Sequence, residues 1–205
     1  MADGRTKRAE QVREQRRAQI LAAALEVFAG QGYHGAAVSD LVKAAGVARG
    51  TFYLYFDSKE AVFLELLDGL LTTLRRSVRG VQMGSGVPSA EEQLIGIVAT
   101  VLETVQHNRA LTRIIFREAV GLDPKVDEKL GAFYDELNQY IVAALKVGEV
   151  TGMVRRVTDP MLVATCVVGS FRSVVQLYAV NRDEPMDAPL LARGIVDFHL
   201  RGLAV

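Results

Sequence analysis

Apolar positions along this chain recur at three- and four-residue intervals almost from end to end, and strand-type alternation is nearly absent. Ile20, Leu21, Ala24, Leu25, Val27 and Phe28 make one stripe on a first helix running from about Ala9 to Ala29. Gly30 and Gly32 end it, because glycine accepts the left-handed backbone that stops a helix. Later helix starts carry capping chemistry as well as periodicity. Ser39 is placed to cap a second helix, and Asp57 with Glu60 and Ser89 with Glu92 have capping-box spacing. Asp123-Pro124 and Asp159-Pro160 each set an acceptor before a proline suited to a first turn. Asp187 precedes a last helix reaching about Leu200. Breaks fall at Gly80 to Pro88, Gly121 to Pro124, Gly148 to Val157 and Asn181 to Pro185. The pattern predicts an all-α chain of about nine helices joined by short loops, with no internal repeat.

Two of the predicted helices are short, about 39–45 and 50–56, and meet at Gly46, which can supply positive φ at a tight corner. Val38, Leu41, Val42, Ala45, Val47, Phe52 and Phe56 are the residues for a small core beneath that corner. A helix as brief as the second holds together only if it is packed from behind. Phe52 and Phe56 provide that at i and i+4. Arg49, Thr51, Tyr53 and Tyr55 are left on its outer side, and the four aromatics within five residues circle the helix, so one face stays exposed. An exposed face rich in hydrogen-bonding groups is what insertion into a DNA major groove requires.

Ala-Gly-Val-Ala-Arg-Gly-Thr-Phe-Tyr-Leu-Tyr-Phe-Asp-Ser-Lys-Glu, residues 45–60, resembles the recognition segment of the TetR family of bacterial transcriptional repressors. The likeness is close from about Ile20 to Leu64; beyond it only helix number and order agree. The resemblance implies a helix-turn-helix DNA-binding domain over residues 1–60, including a basic amino-terminal arm, and a helical ligand-binding and dimerisation domain over 61–205. It implies that Arg49, Thr51 and Tyr53 lie at the groove and that Tyr55 and Lys59 hold phosphate oxygens. Lys59 would do so at the amino end of helix four, where the dipole attracts anions. Ser39 would cap helix two and touch phosphate, and Gly50 would allow close backbone approach. Ala48 departs from the Ser or Thr cap frequent in the family, at a typical cost of about 1 kcal/mol that Phe52 and Phe56 can offset.

Charge and composition sharpen this picture. The 205 residues are 50% hydrophobic, enough for a full core, and the 24 basic and 24 acidic side chains cancel. Arg5, Lys7, Arg8, Arg13, Arg16 and Arg17 nevertheless crowd the first 17 residues. A single cysteine, Cys166, excludes an intrachain disulfide and a Cys-rich zinc site, and its apolar neighbours suggest a buried thiol. The best membrane candidate, Pro160 to Phe171, is bounded by Asp159 and Arg172 and falls short of the ~20 residues a span needs. With no cleavage-type leader, the chain is expected in the cytoplasm. Gly30-Gln-Gly32-Tyr-His-Gly35 matches a dinucleotide fingerprint in spacing but follows a helix instead of a strand. His34, His107 and His199 lack partners at helical spacing, no catalytic motif appears, and no cofactor, metal or enzymatic role is expected.

The remaining helices suggest a ligand chamber and a joint. In the family, helices four to seven enclose an inducer. Candidate wall residues here are Leu71, Leu102, Arg113, Phe116, Arg117, Phe133, Tyr134, Leu137, Tyr140, Cys166, Ser170 and Phe171, with Leu67, Leu74 and Val98 beside them. Arg113, Arg117 and Arg172 need anionic or hydrogen-bonding partners if buried, with Glu118, Glu136 or a ligand acid able to serve. Helices eight and nine are apolar on several sides, and the family pairs them with their symmetry mates. Val167, Val174, Leu177, Tyr178, Leu191, Ile195 and Phe198 are the candidate interface, with Gly169, Ser170 and Ser173 permitting close approach. The implied protein is a homodimeric repressor released from a palindromic operator by a small, mostly apolar inducer, acyl or aromatic. A helical protein-interaction adaptor, or an activator without inducer response, is the alternative.

Overall fold

The structure, a computed structural model, describes residues 2–78, 80–118 and 123–203. The side chain of Arg5 and the break residue Gly121 lie outside the described residues. Among these the chain forms nine helices and no strand. They are α1 (Ala2–Gln31), α2 (Val38–Ala45), α3 (Arg49–Tyr53), α4 (Lys59–Ser77), α5 (Ala90–His107), α6 (Arg109–Glu118), α7 (Pro124–Val150), α8 (Pro160–Val175) and α9 (Ala188–Leu203). A π-helical turn, Gln176–Val180, extends α8.

Most starts follow from local chemistry. Ser89 and Glu92 exchange bonds at the head of α5, the Glu92 amide donating to Ser89 Oγ (3.2 Å) and the Ser89 amide to Glu92 Oε2 (2.8 Å). Asp123, Asp159 and Asp187 accept from Lys125, Leu162 and Leu190 amides at 2.7, 3.0 and 3.0 Å. Two starts differ from the sequence expectation. Ser58, not Asp57, caps α4 by accepting from Ala61 N–H. Ser39 lies inside α2, whose cap is the backbone of Ala37; the Asp40 carboxylate accepts the Ala37 N–H at 2.9 Å.

Helix α1 also departs from expectation, since it begins at Ala2 and carries the basic arm as helix. Its residues 6–15 are all exposed, so this half projects from the body. Helix α3 is shorter than its pattern, because Leu54 and Tyr55 turn out of the helix after Tyr53.

Two cores organise the chain. The first joins α1 to α4 with α6 and α7 through Ile20, Phe28, Tyr33, Phe52, Phe63, Leu67 and Ile114. The rings of Phe28, Tyr33 and Phe63 stack with centroids 5.1–6.2 Å apart. The second joins α5, the end of α8 and α9 through Leu102, Val105, Val175, Ala179 and Ala192. Leu74 and Phe116 touch both.

The stretch Pro160–Val180 is 21 residues, long and apolar enough by length and composition to cross a bilayer, which corrects the shorter sequence estimate. Only Arg172 interrupts it, and continuing the count past that one charge reaches spanning length. Only 22% of the window is fully buried, and Met161, Leu162 and Leu177 stay exposed on its outer side.

Candidate nucleic-acid interface and ligand cavity

Helix α3 has five residues and no side-chain cap, so packing must hold it. Phe52 is fully buried, Phe56 nearly so, and their rings lie 6.0 Å apart beneath the helix. The α2–α3 corner turns at Gly46, whose φ of +62° lets its amide and that of Val47 reach the last carbonyls of α2. Leu41 and Ala45 are buried below, while Val38, Val42 and Val47 are half-buried against them.

With its back fixed, α3 presents Arg49 and Tyr53 outward, Tyr53 being 43% exposed, while Thr51 is half-buried. The Arg49 guanidinium lies 5.9 Å from the Tyr53 ring centroid, which steadies both side chains before any partner arrives. Tyr55 is half-buried, lodging its ring on the core. Gly50 is exposed and a side chain there would meet nothing within 4 Å, so the fold itself does not require glycine. Ser39 is exposed in the first turn of α2. Leu54, at 75% exposure, belongs to the same surface and escapes sequence reasoning, which treats leucine as core.

Lys59 has a different setting from the phosphate-holding one implied by resemblance. Its ammonium donates to the carbonyls of Tyr33 (3.0 Å) and Ala36 (2.9 Å) and sits 4.5 Å from the Tyr33 ring centre. Two of its three donors therefore tie the α1–α2 loop to the head of α4. Arg17 is likewise committed, pairing bidentately with Glu65 and lying over Phe56. This bond holds the Arg17 guanidinium above its usual pKa, against the opposing effect of burial.

Helices α4 to α8, with Ile195 of α9, line a cavity of about 260 Å³. Of the predicted wall, Leu71, Leu74, Val98, Phe116, Phe133, Tyr134, Leu137, Tyr140 and Phe171 line it. Leu94, Ile97, Val101, Ile141 and Val168 also do, on helix faces whose inward direction only the assembled fold reveals. A broader cleft of about 650 Å³ between the end of α4 and the start of α5, lined by Thr73, Arg76, Ser77, Gln93 and Thr100, lies open to water. It cannot strip water from a guest as an enclosed apolar chamber can.

Several predicted wall residues lie elsewhere. Leu67 and Leu102 are fully buried in the two cores, and Cys166 is exposed, not buried, because its face of α8 points outward. Ser170 bonds His199 Nε2 at 2.7 Å, joining α8 to α9, and burial holds His199 below its usual pKa. Arg113 and Arg117 leave the chamber because, with Arg109, they form an i, i+4, i+8 ladder along α6. Arg113 donates to the carbonyls of Ala179 (3.3 Å) and Arg182 (2.6 Å) and to Asp183 Oδ1 (2.8 Å). Arg117 donates to Val180 O at 3.2 Å, and Arg109 to the carbonyls of Ala179, Arg182 and Asp183. The Ala179 and Val180 carbonyls end a helix and those of Arg182 and Asp183 follow it, so none has an intrahelical donor and cations gather there.

The carboxylates considered as arginine partners are also engaged differently. Glu136 pairs with Arg75 through two bonds of 2.6 and 3.1 Å. Glu118, last residue of α6, accepts the amide of buried Tyr33 at 2.7 Å and that of His34 at 3.5 Å. Gly32 turns beneath it with φ +78°, and a Cβ there would come 3.3 Å from both carboxylate oxygens. Glu118 thus clasps the α1–α2 loop, a link of 85 positions that no local pattern announces.

Of the proposed interface residues, Leu177 and Phe198 are exposed, the latter by 70%. Val167 and Ile195 line the cavity instead, while Tyr178 and Leu191 are half-buried on the second core and Val174 is half-buried on α8. Leu162 (60% exposed) and Leu190 (66%) join the outward apolar surface.

Residues 20–66 match the family model described as bacterial regulatory proteins, tetR family, and residues 87–203 one described as tetracyclin repressor-like, C-terminal domain. The chain is 30% identical over 161 residues to an uncharacterized HTH-type transcriptional regulator of Bacillus subtilis, YdgC, covering 71% of this chain and 80% of that protein. It is 27% identical over 190 residues to the fatty acid metabolism regulator protein of Bacillus subtilis, covering 90% of this chain and 94% of the relative. The solved fatty acid degradation regulator FadR from Bacillus halodurans matches with a TM-score of 0.70 at 26% identity, over 92% of this chain and 96% of that one.

Proposed function

The chain belongs to the TetR family of bacterial regulatory proteins and is a ligand-responsive, DNA-binding transcriptional regulator; from that premise we propose a homodimeric repressor, held on a palindromic operator until a mostly apolar small molecule occupies the α4–α8 cavity. The observation carrying this reading is that one helix serves both sites. The first half of α4 packs Phe63 and Leu67 against the helix-turn-helix core, and its second half gives Leu70, Leu71 and Leu74 to the cavity wall. Nineteen residues make a rod of about 28 Å, so a tilt of about 5° moves one end by about 2 Å relative to the other. An occupant that prefers the tilted state must weaken DNA binding, and DNA must weaken the occupant's binding by the same factor.

The outward surface of Leu162, Leu177, Leu190 and Phe198 favours a twin, with Gly169, Ser173 and Gly194 allowing close approach. Two recognition helices then read half-sites one helical turn apart. Arg49, Thr51 and Tyr53 face the groove, with Ser39, Gly50 and Tyr55 beside phosphate. The relative named for fatty acid metabolism and the apolar lining together support an acyl-type occupant. Its working compartment is the cytoplasm, where operator and metabolite meet.

Selection of bound duplexes from a random pool, followed by anisotropy titration across salt, tests the reading. An inverted repeat with half-sites about 10 base pairs apart is expected. Enrichment of no repeat, or affinity indifferent to salt, overturns it.

A further inference from the structure

We propose, building on the cavity reading above, that the occupant is an amphiphile with one free carboxylate and that Arg172 holds this head group. Arg172, an exposed residue of α8, is the one charged side chain in the cavity wall, among Leu, Ile, Val, Phe, Tyr and a single Thr. Its guanidinium carbon lies 5.6 Å from the ring centres of both Phe116 on α6 and Tyr134 on α7, so the charge reaches across from α8 to both neighbouring helices. Among the described residues it has these two rings but no carboxylate and no hydrogen-bond acceptor. Arg109, Arg113 and Arg117 are satisfied by carbonyls, and Arg75 and Arg17 by glutamates.

Arg172 is exposed, and a guanidinium whose donors meet only water at the wall of an apolar chamber is a bidentate donor site for a carboxylate, with the two rings flanking it. Its field is felt within the wall. Burial pushes the Tyr134 phenol above its usual range, and Arg172 pulls it part of the way back. Size limits the tail. A cavity of ~150 Å³ accommodates benzene, so about 260 Å³ accommodates roughly ten heavy atoms, a medium-chain acid. A thioester or ester of the same chain fills the chamber equally but presents no anion to Arg172.

Isothermal titration of the full-length protein with decanoate and with 1-decanol separates head from tail. Wild type is expected to prefer decanoate. Arg172→Gln should weaken decanoate roughly ten- to hundredfold while leaving decanol within about twofold. Arg172→Lys should fall between, since it keeps the charge and loses the fork. Melting of each ligand-free variant checks that it folds. Leu137→Trp, which fills the chamber, should abolish binding of both ligands. Equal affinity of wild type for the two ligands, or equal weakening of both by Arg172→Gln, overturns the head-group assignment and leaves the cavity reading standing. Binding of neither ligand, or binding undiminished by Leu137→Trp, overturns both.

Discussion

Replacing Glu118 with alanine removes the acceptor for the Tyr33 amide, 2.7 Å away, and Tyr33 is buried at 3% exposure, so water cannot readily substitute. A hydrogen bond to a charged acceptor contributes about 1.5–3 kcal/mol. Glu118 is itself half-exposed, which places the expected cost near the lower end, about 1.5–2 kcal/mol. In a chain of this size each kcal/mol lowers Tm by about 2–4 °C, so a fall of roughly 3–8 °C is expected. The melts must be run at one protein concentration, because a dimer's Tm depends on it. Gly32→Ala supplies the partner test. It forces a side chain into a left-handed backbone and sets Cβ 3.3 Å from the same carboxylate. Once Glu118 is alanine the collision is gone and only the backbone strain remains. The two changes together should therefore cost about 0.5 kcal/mol or more less than their separate sum. Strict additivity, with a Tm for Glu118→Ala within about 1 °C of wild type, would refute the clasp.

Other consequences are open to simple assays. Arg49→Ala and Tyr53→Ala should each weaken operator binding by about 1–3 kcal/mol in anisotropy titrations without lowering Tm; unchanged affinity removes α3 from the interface. Arg113→Ala should lower Tm by releasing the carbonyls of Ala179 and Arg182, yet leave ligand affinity intact, since its guanidinium lies outside the chamber; weaker ligand binding at full stability contradicts this. His199 is held below its ordinary pKa by burial, so the unfolded chain takes up its proton first. The His199 contribution is present above about pH 6.5 and lost as pH falls through the depressed folded value. Urea midpoints between pH 7.5 and 5 should show that loss in wild type and a flatter profile in His199→Gln. Phe198→Glu should shift mass by light scattering towards the single chain; a mass unchanged at micromolar concentration places the joint elsewhere.

The helices announced themselves where their causes were local. Ser89 with Glu92, and the Asp-Pro pairs at 123 and 159, carry their caps within four residues, and all three start helices as expected. The choice between Asp57 and Ser58 was not local, because either oxygen can cap and the burial of Val62 and Phe63 decides the phase of α4. The corner at Gly46 and the two phenylalanines under α3 were legible for the same reason as the caps. Destinations of long side chains were not. Lys59 reaches carbonyls 23 and 26 positions away, and Arg113 reaches acceptors 66 to 70 away. Cys166 misled because its neighbours are apolar, yet Ala164, Val167 and Val168 turn inward and Cys166 lies on the other side of α8. Leu102 and Leu71 look alike in sequence and both are buried in a core, and only helix rotation brings Leu71 to the cavity as well.

Glu118 and Arg117 stand side by side yet grip opposite parts of the protein, one the loop before α2 and the other the end of α8. The Arg117 bond, at 3.2 Å, already lies at the outer limit of a normal length, and the Tyr33 bond has only about 0.5 Å to spare. The last turn of helix α6 is thus tied to both neighbours at once. Phe116, one residue before this pair, lines the cavity, so a single helical turn holds cavity wall, α1–α2 loop and the end of α8 in covalent succession.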